Sequence, residues 1–175
     1  MRQRLIAIAL LVVAAAAAYW FLVRDATIEA HVRVPRATAT IGTGSDAVAV
    51  GPGGQILAWL PLSEELQLPT LPLSTPPKSG QLAGPVLQQA RVLGAAPPTL
   101  RPYLESSYYG ESGIDVKLRS GIELRFGDAS QAAAKWKAAA AVLADPSITA
   151  LDYVDLHAPR RPAVGGSGHT LPPVE

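Results

Sequence analysis

The 175-residue sequence contains no cysteine. That absence removes disulfides, thiolate zinc sites and cysteine nucleophiles together, and leaves the compartment open. Nor is there charge of one sign to work with. Fifteen Lys and Arg against fourteen Asp and Glu leave a net +1, too little for an electrostatic case for nucleic acid. The three histidines, His31, His157 and His169, lie far apart in sequence. They lack metal-ligand spacing and read as solvated or half-buried imidazoles. No serine stands in a nucleophile elbow with a histidine placed to serve it. Asp152 and Asp155, three apart on a strand-like run, point to opposite faces and cannot flank one bond. The stretch GTGSDA, residues 42 to 47, fits a loose dinucleotide fingerprint. An alternating strand follows it where a helix should present its amides to pyrophosphate, so it reads as a hairpin turn. No enzyme emerges from these residues, and no cofactor, metal or small-molecule substrate is expected.

What is present begins with an uncharged apolar run, LIAIALLVVAAAAAYWFLV, over residues 5 to 23. As a helix it is about long enough to cross a hydrocarbon core. Arg2 and Arg4 precede it, and Arg24 is nearly balanced by Asp25. The positive-inside rule then keeps residues 1 to 4 in the cytoplasm and exports everything downstream. The rival is a cleaved signal peptide, since the alanine run offers an A-x-A site. Cleavage there would leave the apolar Tyr-Trp-Phe-Leu-Val as a new terminus, so the anchor is the preferred reading.

The exported part reads as α+β. Residues 24 to 36 form a connector, and ATATIGTGSDAVAV alternates, turns and alternates again. QILAWLPL, residues 55 to 62, is expected as a strand, and residues 61 to 80, rich in Pro, Leu and Ser, as loop. GPVLQQARVLG has helical spacing, with Val86, Leu87, Ala90 and Leu93 on one face, Pro85 in the first turn and Gly94 as a stop. In GIDVKLRSGIELRFGD, the residues Ile114, Val116, Leu118, Ile122, Leu124 and Phe126 share a face only if the loop is Arg119 to Gly121. Such a loop wants a left-handed last residue, which is where Gly121 stands. The same register sets Lys117 opposite Glu123 and Asp115 opposite Arg125.

A second helix follows, capped by Asp128 or Ser130, with Ala132, Trp136, Ala139 and Leu143 as its buried stripe and Asp145-Pro146 as its end. LDYVDLHA returns to strand, with Val154 and Leu156 on one side and Tyr153 and Asp155 on the other. Helices packed on one sheet are the expected architecture. Residues 167 to 175 are expected as a disordered tail. The segment YVDLHAPRRPAVGG, residues 153 to 166, looks like a finished sheet edge. Arg160 and Arg161 could hold a polyanion, keep the edge soluble, or flank a docking strand; composition leaves these open.

The hairpin, the Gly-Asp that leads into a Lys-bearing helix, and the V-D-L strand followed by Ala-Val-Gly resemble the carboxy-terminal β domain of the FtsQ/DivIB cell-division proteins. The resemblance runs from about Ala37 to Gly166, and residues 37 to 166 are taken as that domain. Its members carry a small POTRA domain between the membrane helix and the β domain. Here thirteen residues, Arg24 to Arg36, occupy that place. The resemblance implies a non-enzymatic divisome scaffold whose last strand pairs with a small single-pass protein, FtsB or DivIC, that travels with FtsL. Its implied partner-binding residues are Arg160, Arg161, Pro162, Ala163, Val164 and Gly165, with Tyr153 on the neighbouring strand. An aromatic residue often follows the Val-Gly in the family, and here Gly166 stands there. The other reading is an anchored or secreted binding domain for a small ligand, which requires a deep polar pocket where a scaffold requires a free strand edge.

Overall fold

The computed structural model describes residues 36–63, 67–78 and 80–171. The expected anchor, the four residues before it and nearly all of the connector lie outside the described residues. Among the described residues no helix is long and apolar enough to cross a membrane.

Strands β1 (Ala39–Ile41) and β2 (Val48–Val50) pair antiparallel across GTGSDA, which holds a single 3₁₀ turn. Gly42 and Gly44 stand at positive φ on the way in, so this stretch is the hairpin turn expected. Strand β3 pairs with β2 but spans only Ile56–Leu57. The longer strand expected over QILAWLPL does not form. The Leu60 amide turns back to the Leu57 carbonyl at 2.9 Å, and Pro61 has no amide with which to resume a ladder.

Helix α1 (Gly84–Gly94) carries Pro85 in its first turn, as expected. It buries Gln89, Ala90, Val92 and Leu93. Gly94 is there for clearance rather than as a left-handed stop: a Cβ would sit 2.5 Å from the Pro52 carbonyl oxygen.

Strand β4 (Leu104–Gly110) has no counterpart in the sequence reading. It pairs antiparallel with β5 (Gly113–Leu118), which pairs antiparallel with β6 (Glu123–Gly127). Here the expectation holds closely. Asp115 opposes Arg125 and Lys117 opposes Glu123. The Leu118 amide reaches the Ile122 carbonyl at 2.8 Å, and Gly121 sits at φ +95°. All six apolar residues of this hairpin are buried.

Helix α2 (Ala132–Leu143) lies on the core face, with the Trp136 ring centroid 4.9 Å from that of Phe126. Its indole N–H donates to the Val92 carbonyl of α1 at 2.7 Å, so the two helices are tied together. Neither Asp128 nor Ser130 caps α2. Gln131, at φ 51°, holds the cap position, while the Asp128 carboxylate accepts from the Ser130 amide and from Lys135. Lys135 is 2% exposed and also donates to the Phe126 and Asp128 carbonyls. A buried ammonium is stable only when its donors are satisfied in this way.

The α2 crossover makes β7 (Ala150–Asp155) parallel to β6, and β8 (Ala163–Thr170) returns antiparallel to β7. The strand order is β4-β5-β6-β7-β8. β8 runs four residues beyond Gly166, so residues 167 to 170 are strand and not the disordered tail expected there; residues 172 to 175 of that tail lie outside the described residues. Thr70 joins the two sheets. Its amide donates to the Glu105 carbonyl and its carbonyl accepts from Ser107, while the Thr40 amide and carbonyl bond Pro69 and Leu71. The edge of β1 is thereby occupied, and that of β4 from Glu105 to Ser107.

Candidate interaction edge

With β4 covered in part by Thr70, the opposite side of the five-stranded sheet ends in β8. Its approach is a tight turn: the Arg161 amide donates to the Ala158 carbonyl at 2.8 Å. Pro159 supplies the fixed φ suited to such a turn. Arg160 and Arg161 therefore stand in the turn and not on the ladder, which corrects their expected place in the last strand. Pro162 precedes β8 directly, and Ala163, Val164 and Gly165 open it.

The direction of each backbone group on β8 follows from the ladder. The Leu156 amide donates to the Arg125 carbonyl of β6 at 2.9 Å. In a regular strand alternate residues face alternate neighbours, so Tyr153 and Asp155 turn their backbone toward β8. They oppose Gly165 and Ala163, whose amides and carbonyls therefore face inward. Val164, between them, presents its N–H and C=O to the open side. Pro162, in the same phase, presents a carbonyl and no donor.

The side chains have the opposite bias. Val164 opposes the buried Val154 on the core face yet is 45% exposed. On the other face Tyr153 lies over Gly165, where a Cβ would meet its ring at 2.6 Å. The Arg125 guanidinium is stacked 3.9 Å from the centre of the same ring, a cation–π contact that holds the phenol flat. The small residues Ala163 and Gly165 leave the rim level, so an incoming strand meets no bulky side chain on that face.

Inward from the rim lies a polar patch. The Tyr108 hydroxyl donates to Glu123 Oε1 at 2.6 Å, and burial together with that bond pushes its pKa up. Asp115 is 5% exposed, and its Oδ1 has no partner. Burial first, and then the Glu123 charge, raise its pKa to about 6. His157 brings Nδ1 within 2.7 Å of Asp155 Oδ1 and Nε2 within 3.1 Å of the Ser112 carbonyl. Both ring nitrogens face acceptors, an arrangement the imidazolium alone fully satisfies. The Asp155 bond is the main cause of the raised His157 pKa. Burial opposes ionisation of Asp155, but the His157 amide and ring hold its carboxyl below the usual range. No cluster of metal-ligating side chains occurs among the described residues.

Of the expected site residues, Tyr153, Ala163, Val164 and Gly165 come together at the rim, Pro162 leads into it, and Arg160 and Arg161 flank it from the turn. Sequence reasoning missed two residues that shape this edge. Asp152 accepts from the Gly168 amide at 2.7 Å. His169, assigned to the tail, packs its ring against Gly121 of the β5–β6 turn. The available signal was the cluster Gly165, Gly166 and Gly168, which marks close approach as readily as disorder.

The sequence profile of the family described as "Cell division protein FtsQ/DivIB, C-terminal" matches residues 39–157. The chain belongs to the FtsQ/DivIB family. That membership gives the domain a role in cell division. The match covers the sheets and helices through β7 and stops before the turn, so Arg160 to Gly165 lie beyond it. No curated protein matches the chain.

Proposed function

We propose that this FtsQ/DivIB domain is a non-enzymatic scaffold of the division septum, and that its β8 edge takes up a strand from an FtsB/DivIC-like protein travelling with an FtsL-like partner. The chain is held to the membrane by residues 5 to 23, with its amino terminus cytoplasmic and the β domain on the periplasmic side. One observation carries the edge assignment: Val164 turns both backbone groups away from β7 on an edge that, among the described residues, has no strand beyond it. Main-chain pairing then supplies affinity, and flanking side chains supply register. Arg160 and Arg161, at the mouth of the edge, favour acidic side chains on the partner strand. Proline on both sides of them limits indiscriminate pairing.

Val164→Pro tests this directly. It deletes the outward amide and leaves the inward bonds of Ala163 and Gly165 in place. Binding of the purified FtsB/DivIC-like extracytoplasmic segment should fall by about tenfold or more, with an unchanged circular dichroism spectrum. Undiminished binding by a folded Val164→Pro protein removes β8 as the docking edge. For the membrane assignment, a reporter fused after Glu175 should be active outside the cytoplasm. A mature terminus near Tyr19 would disprove the anchor.

A further inference from the structure

β8 is not uniform along its length. Tyr153 opposes Gly165 and Leu151 opposes His169, so Gly166, Ser167 and Gly168 all stand opposite the single residue Asp152. An ordinary bulge adds one residue to one strand; this one adds two. The extra chain is wrapped around the Asp152 carboxylate. Gly168 donates its amide to Oδ1 at 2.7 Å, and Gly166 is at φ +80°. A Cβ at Gly166 would overlap Oδ2, and one at Gly168 would stand 2.5 Å from Oδ1. Beyond the bulge the ladder resumes, with the Leu171 amide on the Thr149 carbonyl at 3.0 Å.

Resting on the reading of β8 as a docking edge, we infer that Asp152 acts as a register stop, which limits the partner strand to the window from Pro162 to Gly166. Within that window the outward groups keep the spacing of a regular strand. Pro162 offers a carbonyl, Val164 an amide and a carbonyl, and the Gly166 amide points outward because the Gly165 carbonyl points in. Past Gly166 the bulge bends the chain and breaks the two-residue spacing, so a straight partner cannot follow it to Thr170. Pro162 closes the other end by lacking a donor. The edge therefore selects a short extended segment with one closely bonded residue opposite Val164, an acidic side chain within reach of Arg160 or Arg161, and a chain that leaves the sheet after about two further residues.

Amide hydrogen exchange on the full exported domain, with and without the purified FtsB/DivIC-like segment, tests the stop. Partner addition should slow exchange at Val164 and Gly166 by about tenfold or more and leave Ser167 and Thr170 unchanged. In Asp152→Ala, which frees the Gly168 amide, protection should spread past Gly166. Asp152→Asn, which keeps an acceptor at the Oδ1 position, should restore the wild-type pattern. Protection of wild-type β8 through Thr170 overturns the stop while leaving the docking edge intact. Identical short patterns in wild type and Asp152→Ala overturn the role of Asp152. Absence of protection anywhere on β8 removes the docking edge, and the stop with it.

Discussion

Two antiparallel hairpins of the same sheet are built in contrasting ways. The β5–β6 hairpin closes through three residues, buries six apolar side chains and aligns its polar pairs without a gap until Ile114. The β7–β8 hairpin closes through a proline-flanked arginine turn, exposes Val164 and carries a doubled bulge held by a carboxylate. In the first, side chains dictate the register and the backbone follows. In the second, glycine removes the side chains from β8, and Asp152 and Tyr153 of β7 set the path, with the His169 ring set against Gly121 of the neighbouring turn. A strand fixed by burial is a foundation. A strand fixed by clearance keeps its outer backbone groups free.

The largest expected effect separates the hairpins by core content. Phe126→Ala should destabilise the domain by about 3–5 kcal/mol, because the ring is buried against Trp136. Val164→Ala should cost under about 1 kcal/mol at its exposed place. Urea denaturation of both variants measures the gap, and similar values would erase the distinction.

Next comes Gly121→Val. It strains a backbone at φ +95° and drives a side chain into the His169 ring, so about 2 kcal/mol or more is expected. Ser120→Ala in the same turn should be near neutral. Since His169 belongs to β8, the glycine variant should also weaken exchange protection around residues 169 to 171, which links the two hairpins through one contact.

Acidity should act on the face they share. Asp115 has its pKa raised from 3.8 to about 6, so the folded state holds that proton more tightly than the unfolded chain. Its contribution is full below about pH 3.8, falls as pH rises toward 6, and is absent above that value. His157, also raised, acts in the same direction at higher pH, since its contribution fades as pH climbs through its folded value. Asp155 opposes both, because its lowered pKa gives stability that is lost on acidification. In Asp115→Asn the decline between about pH 4 and 6 should flatten in thermal melts. An unchanged profile would show that Asp115 is not the titrating group.

The smallest effect on the fold is expected from Arg160→Glu with Arg161→Glu. Both side chains are in the exposed turn, so stability should move by less than about 0.5 kcal/mol. Binding of the partner segment should weaken more at low salt than at high salt, because rim charges act through screened electrostatics. A salt-independent loss would place the arginines in direct contact instead.

How far the sequence could be read follows the same division. Alternation and one well-placed glycine specified β5–β6 down to its opposed pairs. β4 stayed hidden because, after Leu104, its one buried residue is Ser107, whose hydroxyl is satisfied by the Asp115 carbonyl. Lys135 stood outside the expected buried stripe of α2, since helical periodicity cannot show that Phe126 and Asp128 turn three acceptors toward it. The parallel β6–β7 pairing needs α2 to cross the sheet first, a nonlocal fact. β8 past Gly166 has the composition of a tail, and it becomes a strand only through the Asp152 carboxylate and the pairing of His169 and Thr170 with Leu151 and Ala150. Of the candidate site, the Ala163–Gly165 rim was legible, whereas the place of the arginines and the outward phase of Val164 required the ladder.

The Thr70 stitch has a consequence for assembly. It fills the margin of β1 and interrupts that of β4 at Glu105 to Ser107, and on the far side the bridge between Gln55 and Gln81 shields β3. Among the described residues this leaves β8 as the one sheet margin without a bridge anywhere along its outer side, a valence of one. A molecule with two such margins polymerises, each added copy exposing the next site. With one, strand addition terminates: a foreign strand caps the sheet, and two copies meeting edge to edge close into a symmetric pair with nothing left over.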